Sequence, residues 1–192
     1  MEASKYSRDA LIAEGTKSES SFLFFYGHSA SEGPKAVLSN FWLCPEPFVD
    51  SANRRFPTSE HFMMHGKAVL FGDTDMAELI LNAPTPLAAK RFGRKVRNFD
   101  QDTWKNHRIN IVAEGCFLKF SQCEEAGRFL LATGDRILVE ASPRDRIWGI
   151  GMGMSNRNRF DPSKWGGLNL LGEALMIVRD RLREREEDSM KH

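Results

Sequence analysis

The run Ser21-Phe22-Leu23-Phe24-Phe25-Tyr26 limits the folds open to this chain more than any other feature. A stretch this dense in aromatics is stable only as a strand buried on both faces, so the rest of the chain must supply its cover. Most of that rest reads as helix. Thr58 or Ser59 caps a helix that carries Glu60, His61, Phe62, Met63, His65 and Lys67 and ends near Gly72. Gly66 sits inside it at a cost of about 1 kcal/mol relative to Ala, which suggests a close backbone contact. Helices follow over 73–82, over 85–92 with Pro86 in the first turn, over 102–119 and over 124–132. In the fourth, Trp104, Ile109, Val112, Cys116 and Phe120 lie near one stripe. Arg136 to Ala141 reads as a second strand, 144–160 as a loop, and 168–185 as a final helix with Leu168, Leu171, Leu175, Val178 and Leu182 on one face.

A further strand is expected over Ala36 to Leu43, paired with Phe48-Val49, with Pro45 and Pro47 in the turn between them. Strands and helices do not alternate, so the fold class is α+β: a mainly helical single domain around a small β-sheet. Residues 1–20 are polar and are expected to be a flexible lead-in, 21–185 the catalytic domain, and 186–192 a frayed C-terminus.

At 192 residues, with 41% hydrophobic and 28% charged side chains, the chain is long enough to bury a core without a disulfide or metal staple. No window is apolar enough for a membrane span, and 1–15 does not read as a secretory signal. The net charge of +1 excludes a polybasic protein but leaves room for a local basic site. Cys44, Cys116 and Cys123 form no C-x-x-C, which fits reduced thiols in the cytoplasm or nucleus rather than a secreted protein.

Four groupings bear on chemistry. Glu60 and Lys67 are seven apart, so both lie on one helix face about 10 Å apart along the axis. A carboxylate and an amine so placed suit acid–base and nucleophilic work, and equally a solvated face. Ser142-Pro143-Arg144-Asp145-Arg146-Ile147-Trp148-Gly149-Ile150-Gly151 follows a strand and is either a ligand loop, with arginines for phosphate and an indole to stack, or a tight turn over a core Trp. Lys90-Arg91-Phe92-Gly93-Arg94-Lys95-Val96-Arg97 suits phosphate, or a helix C-terminus complemented by cations. His61 and His65 have metal spacing, but no clear third ligand accompanies them, so no metal is expected.

Taken together, Ser39-Asn40-Phe41, Phe56-Pro57-Thr58-Ser59-Glu60-His61, Lys67-Ala68, Gly93-Arg94, Trp104, Arg108, Glu140-Ala141-Ser142-Pro143, Asp145, Trp148-Gly149-Ile150-Gly151 and Trp165-Gly167-Asn169 resemble the NADAR (YbiA-like) family over about residues 22–183. The resemblance implies a mainly helical α+β domain that hydrolyses N-glycosidic bonds without cofactor or metal. Two substrate classes go with it: ADP-ribose attached to guanine in nucleic acid, and phosphoribosylamino-pyrimidines of riboflavin synthesis. An Arg-rich loop over 152–165 tilts the reading to ADP-ribose, with ADP-ribosylated guanine nucleotide or nucleic acid as the partner, no membrane, and a monomer.

Under that resemblance Glu60 serves the oxocarbenium-like state or shuttles protons, and Lys67 forms a Schiff base with ring-opened ribose or only binds ligand. Asp145 holds a ribose hydroxyl or orients Lys67. The substrate-binding candidates are Ser39, Asn40, Phe41, Arg94, Trp104, Trp148, Gly149 and Gly151. Phe41 and Trp148 are expected to sandwich the base or ribose, and Asn40, Arg94 and the Gly149 and Gly151 backbone to meet the diphosphate. A non-catalytic ADP-ribose reader and a nucleic-acid module resting on 90–97 are the rival readings.

Overall fold

The computed structural model describes residues 4–15 and 17–191. In chain order the elements are α1 (Arg8–Ala13), β1 (Phe22–Phe25), β2 (Phe48–Val49), β3 (Arg55–Phe56), α2 (Ser59–Leu70), α3 (Thr74–Leu81), α4 (Pro86–Gly93), α5 (Gln101–Gln122), α6 (Glu124–Ala132), β4 (Ile137–Glu140) and α7 (Leu170–Met190), with short 3₁₀ turns between. β1 pairs in parallel with β4, Phe22 opposite Ile137 and Phe25 opposite Glu140. All four β1 residues are buried, as the aromatic run requires. β2 and β3 form a separate antiparallel pair, Phe48 opposite Phe56. The fold is α+β, mainly helical, and among the described residues no helix is long and apolar enough to cross a membrane.

Helix starts follow from local chemistry. The side chains of Thr58, Asp73, Thr85 and Asp100 accept the N–H three residues on and begin α2, α3, α4 and α5. Glycines then let these helices approach closely. A Cβ at Gly66 would lie 2.7 Å from Cγ2 of Ile111, and one at Gly93 would strike the Met64 sulfur. Gly66 therefore marks the crossing of α2 with α5, which accounts for a helix-weakening residue at that position. Buried side chains from α5 and α7, among them Trp104, Val112, Leu171 and Leu175, join β1 and β4 in one core.

Three expectations are corrected. Ala36 to Leu43 is not a strand: 3₁₀ turns run over Ala30–Leu38, kinked at Gly33 (φ 65°) with Pro34 inside. The partner of Phe48-Val49 is instead Arg55-Phe56. Residues 1–20 are not a loose lead-in, because α1 docks on the body. Leu11 is buried in the core, Tyr6 donates to Asp180 at 2.7 Å, and Arg8 donates to the Pro162 carbonyl. At the other end α7 continues through 186 to Met190 rather than fraying. Residues 1–3, 16 and 192 of those two segments lie outside the described residues.

Candidate active site

Glu60 sits in the first turn of α2, where its backbone N–H donates to the Asn40 carbonyl at 2.9 Å. That bond ties the Ser39-Asn40-Phe41 loop to the helix start. Lys119, fully buried on α5, holds the same loop from below by donating to the carbonyls of Val37 (2.6 Å) and Ser39 (3.0 Å). Asn40 is itself buried, and its side-chain oxygen faces the Cys116 thiol at 3.9 Å. Its Nδ2 has no hydrogen-bond partner among the described residues and is not among the sealed polar atoms. The Ser39 hydroxyl accepts from the Phe41 N–H. Phe41 emerges half-buried, with the Lys90 ammonium 5.4 Å from its ring centre.

The Glu60 side chain is 2% exposed, and its Oε1 has no hydrogen-bond partner. Burial pushes its pKa up to about 7; Lys90 and Arg94 pull the other way, and Asp145 pushes further up. A second carboxyl shares this environment. Glu140, the last residue of β4, has a sealed and unpartnered Oε2 and a pKa lifted to about 8 by burial, with Asp145 and Glu60 adding to the rise and Lys90 opposing it. Asp145 stands beside both, with its Oδ1 accepting the N–H groups of Ile147 and Trp148 at 2.8 Å each. Three carboxyls from α2, β4 and the following loop thus converge under two cations from α4 and its end.

The loop after β4 is pinned to the start of α7. Gly149 has no room for a side chain, since a Cβ there would lie 2.9 Å from the Glu140 carbonyl. Its own carbonyl accepts the Asn169 N–H. The Gly151 N–H already donates to the Asp145 carbonyl at 3.0 Å, so it closes the loop and does not face a diphosphate as expected. Trp148 is half-buried against the core.

Lys67 is placed differently from the sequence expectation. Its ammonium donates to the Gly93 carbonyl at 2.8 Å and lies 4.2 Å from the Phe99 ring centre and 5.7 Å from that of Trp104. Burial alone lowers its pKa, and Glu60 is not among its charge neighbours. The cations acting on Glu60 are Lys90 and Arg94 instead. Asp145 hydrogen-bonds its own loop and not Lys67.

Residues 24–183 match the NADAR domain. The chain belongs to the NADAR family. It is 37% identical over 163 residues to N-glycosidase R617 of Acanthamoeba polyphaga mimivirus, covering 83% of this chain and 95% of that one. It is 30% identical over 162 residues to the riboflavin biosynthesis protein VVA0006 of Vibrio vulnificus, of which it spans only 39%. The solution structure of Escherichia coli YbiA superposes with a TM-score of 0.65 at 27% identity, over 85% of this chain and 86% of YbiA.

In this NADAR chain the basic stretch divides by role. Lys90 and Arg94 face the acids, while Arg97 is held away by Asp73 and Asp75 at 2.6 and 2.8 Å. His61 spends both ring nitrogens on Thr58 Oγ1 and the Ala83 carbonyl, and His65 packs edge-on against Phe56. Among the described residues there is no group of three or more His, Cys, Asp or Glu placed to hold a metal. Sequence reasoning missed Glu140. The available signal was an acid closing an otherwise apolar strand just before a ligand-type loop.

The two raised carboxyls give the fold a pH signature. Each favours the protonated form when folded, so their stabilisation is whole below about pH 4.3, the unfolded value, and is lost as pH rises through about 7 and 8. Urea unfolding at pH 9 is expected to give a stability lower than at pH 5 by up to about 7 kcal/mol, about 1.4 kcal/mol for each pH unit over which each carboxyl stays protonated only in the folded state. Glu60→Gln and Glu140→Gln should each flatten that dependence. An unchanged slope in both variants would show that these carboxyls titrate normally.

Proposed function

We propose that this NADAR chain hydrolyses an N-glycosidic bond, and that its substrate is ADP-ribose joined to guanine in nucleic acid. The observation that carries the reading is the sealed Glu60 carboxyl, poised to exchange a proton near neutral pH beside Asp145, Lys90 and Glu140. Likeness to R617, an N-glycosidase over nearly its whole length, supports the bond class. Support for a polyanionic nucleic-acid substrate comes from Lys90 and Arg94 above the acids, with exposed Arg91 and Lys95 beside them. Half-buried Phe41 and Trp148 offer ring faces to a base or ribose.

Cleavage breaks the bond between C1′ and nitrogen, gives the leaving nitrogen a proton, and gives C1′ a water oxygen. Glu60, about half protonated near pH 7, is the proton source and then accepts the proton of the attacking water. On the ring-opened path the C1′–O4′ bond breaks and O4′ takes the proton from Glu60, the neutral Lys67 amine adds to C1′, the base leaves with the proton the amine gives up, and water then hydrolyses the resulting imine, freeing the amine and letting O4′ close on C1′. Its half-buried seat between two aromatic rings favours the neutral nucleophile. Asp145 and Lys90 hold ribose hydroxyls, and Arg94 meets a phosphate.

Likeness to VVA0006 favours a second reading, a phosphoribosylamino-pyrimidine substrate. Incubation with ADP-ribosyl-guanosine and with phosphoribosylaminouracil, read by product mass, decides between them; no release from either would overturn the glycosidase reading. Borohydride added during turnover is expected to leave a reduced sugar adduct on the Lys67 peptide. No adduct, together with an active Lys67→Ala, would remove the imine step.

A further inference from the structure

The turn over 94–100, between α4 and α5, is exposed along most of its length and yet tightly fixed. Its anchor is Asp73, the residue that caps α3. The Asp73 side chain is fully enclosed and accepts the Arg97 backbone N–H at 2.8 Å, its Nε–H at 3.1 Å and its Nη2–H at 2.6 Å, besides the Met76 N–H. Arg97 reaches on to Asp75 at 2.8 Å, and Val96 beside it is buried. A charged fork and a backbone bond on one carboxylate fix both the position and the orientation of the turn.

Asn98 follows with φ at 56°, a left-handed conformation that asparagine tolerates. That reversal delivers Phe99, which is 42% exposed, so burial alone does not account for its place. Its ring packs edge-to-face on Phe71, 5.2 Å between centres, and its centre is 4.2 Å from the Lys67 ammonium. Phe71 caps α2 one turn beyond Lys67. On its other sides the ammonium meets the Gly93 carbonyl and the Trp104 ring.

A lysine stem is long and flexible, and Glu60 lies on the same face of α2, about 10 Å away along the axis. An amine free to swing would turn toward the three acids, and an ammonium paired with carboxylates keeps its proton. Here it does not pair with them. The ionisable groups on the elements packed about it are Glu60 on α2, Asp73 before α3, Lys90 and Arg94 on and after α4, Arg97 in the turn and Arg108 on α5. None of them shifts its hold on the proton; burial alone weakens it.

We infer that Phe99 is a positioning residue for Lys67: the Asp73–Arg97 clamp sets the phenyl ring as a cover over the amine, keeping it dry and out of reach of the acids. That this serves catalysis rests on the reading in which Lys67 attacks C1′. The ring face also attracts the ammonium, which opposes the effect of the cover. Leucine, which keeps the cover and drops the attraction, separates the two.

Two measurements on the full chain test this. Trace acetic anhydride, read by peptide mass, gives the pH midpoint for labelling of Lys67 without substrate. Borohydride trapping with ADP-ribosyl-guanosine gives the rate of adduct formation. Phe99→Ala is expected to move the midpoint up toward that of an ordinary lysine and to slow adduct formation at pH 7 by about 10-fold, with KM little changed. Phe99→Leu should hold the midpoint at or below that of wild type and restore adduct formation. Arg97→Gln, which loses the charged fork, should move the midpoint upward by a smaller amount. A wild-type midpoint in folded Phe99→Ala, or the same rise in Phe99→Leu, would overturn the proposal. If Phe99→Ala does not fold, Arg97→Gln decides in its place, and an unmoved midpoint there sinks it. A raised midpoint in Phe99→Ala, with no base release or adduct from any form, would leave the cover standing and remove the glycosidase reading. Wild-type turnover with an unmoved midpoint in Phe99→Ala would do the reverse.

Discussion

Exchanging Glu60 for glutamine is expected to lower release of ADP-ribose from modified guanine by 10²- to 10⁴-fold, the range for loss of an acid–base group. Binding should survive, because the amide fills the same sealed space and the Asn40 carbonyl still accepts the backbone N–H at position 60. The comparison is single-turnover rate against equilibrium affinity for the same ligand. Turnover within a few-fold of wild type would take Glu60 out of the chemistry. The wild-type pH–rate profile offers an independent check. A carboxyl near pH 7 that must deliver a proton gives a rate that falls on its alkaline side, and Asp145→Asn should move that limb toward lower pH because it removes the like charge that lifts Glu60.

Asn169→Ala is expected to cost about 3 kcal/mol and to lower the midpoint of thermal unfolding by about 10 °C. Asn169 is fully enclosed, with φ at 57°, a left-handed conformation that asparagine accepts more readily than alanine. Its Oδ1 accepts the Glu140 N–H at 3.0 Å and its Nδ2 donates to the Leu138 carbonyl at 2.9 Å. A single side chain thus supplies the open edge of β4 with the bonds another strand would give. Alanine leaves both backbone groups buried and unpaired and adds backbone strain. Asn169→Gly, which relieves the strain but not the lost bonds, should be nearly as damaging, and activity should fall in both because Glu140 loses its anchor. A melting temperature within a degree or two of wild type in both variants would refute this account.

The sequence made some features legible and hid others for identifiable reasons. Helix starts at Thr58 and Thr85 were readable because capping is settled within three residues. β1 and β4 were readable because their apolar runs admit little else. Ala36 to Leu43 misled: its apolar content suits a strand, yet the carbonyls of Val37 and Ser39 are claimed by Lys119 from a helix far along the chain. The polar N-terminus hid Leu11 and the Tyr6–Asp180 bond, whose partner lies near the opposite end. In the site, Glu60 and Asp145 were visible as motifs. Glu140 and the pairing of Lys90 with the acids depend on where β4 and α4 come to rest, and spacing alone does not encode that.

The parallel pairing of β1 with β4 has a consequence for how the molecule is made. Parallel neighbours cannot be joined by a tight turn, and here the connection runs through five helices, α2 to α6. On a ribosome, Phe22–Phe25 leaves the exit tunnel early and must wait for Ile137–Glu140 before its ladder can close. Until then an apolar aromatic strand stands unpaired, and long-range closure of this kind is slow and invites association with other nascent chains. Because Glu140 belongs to the late strand, the acid cluster is completed only after residue 140 has been synthesised, so translation products cut short before it would carry Glu60 and Lys90 without a working centre.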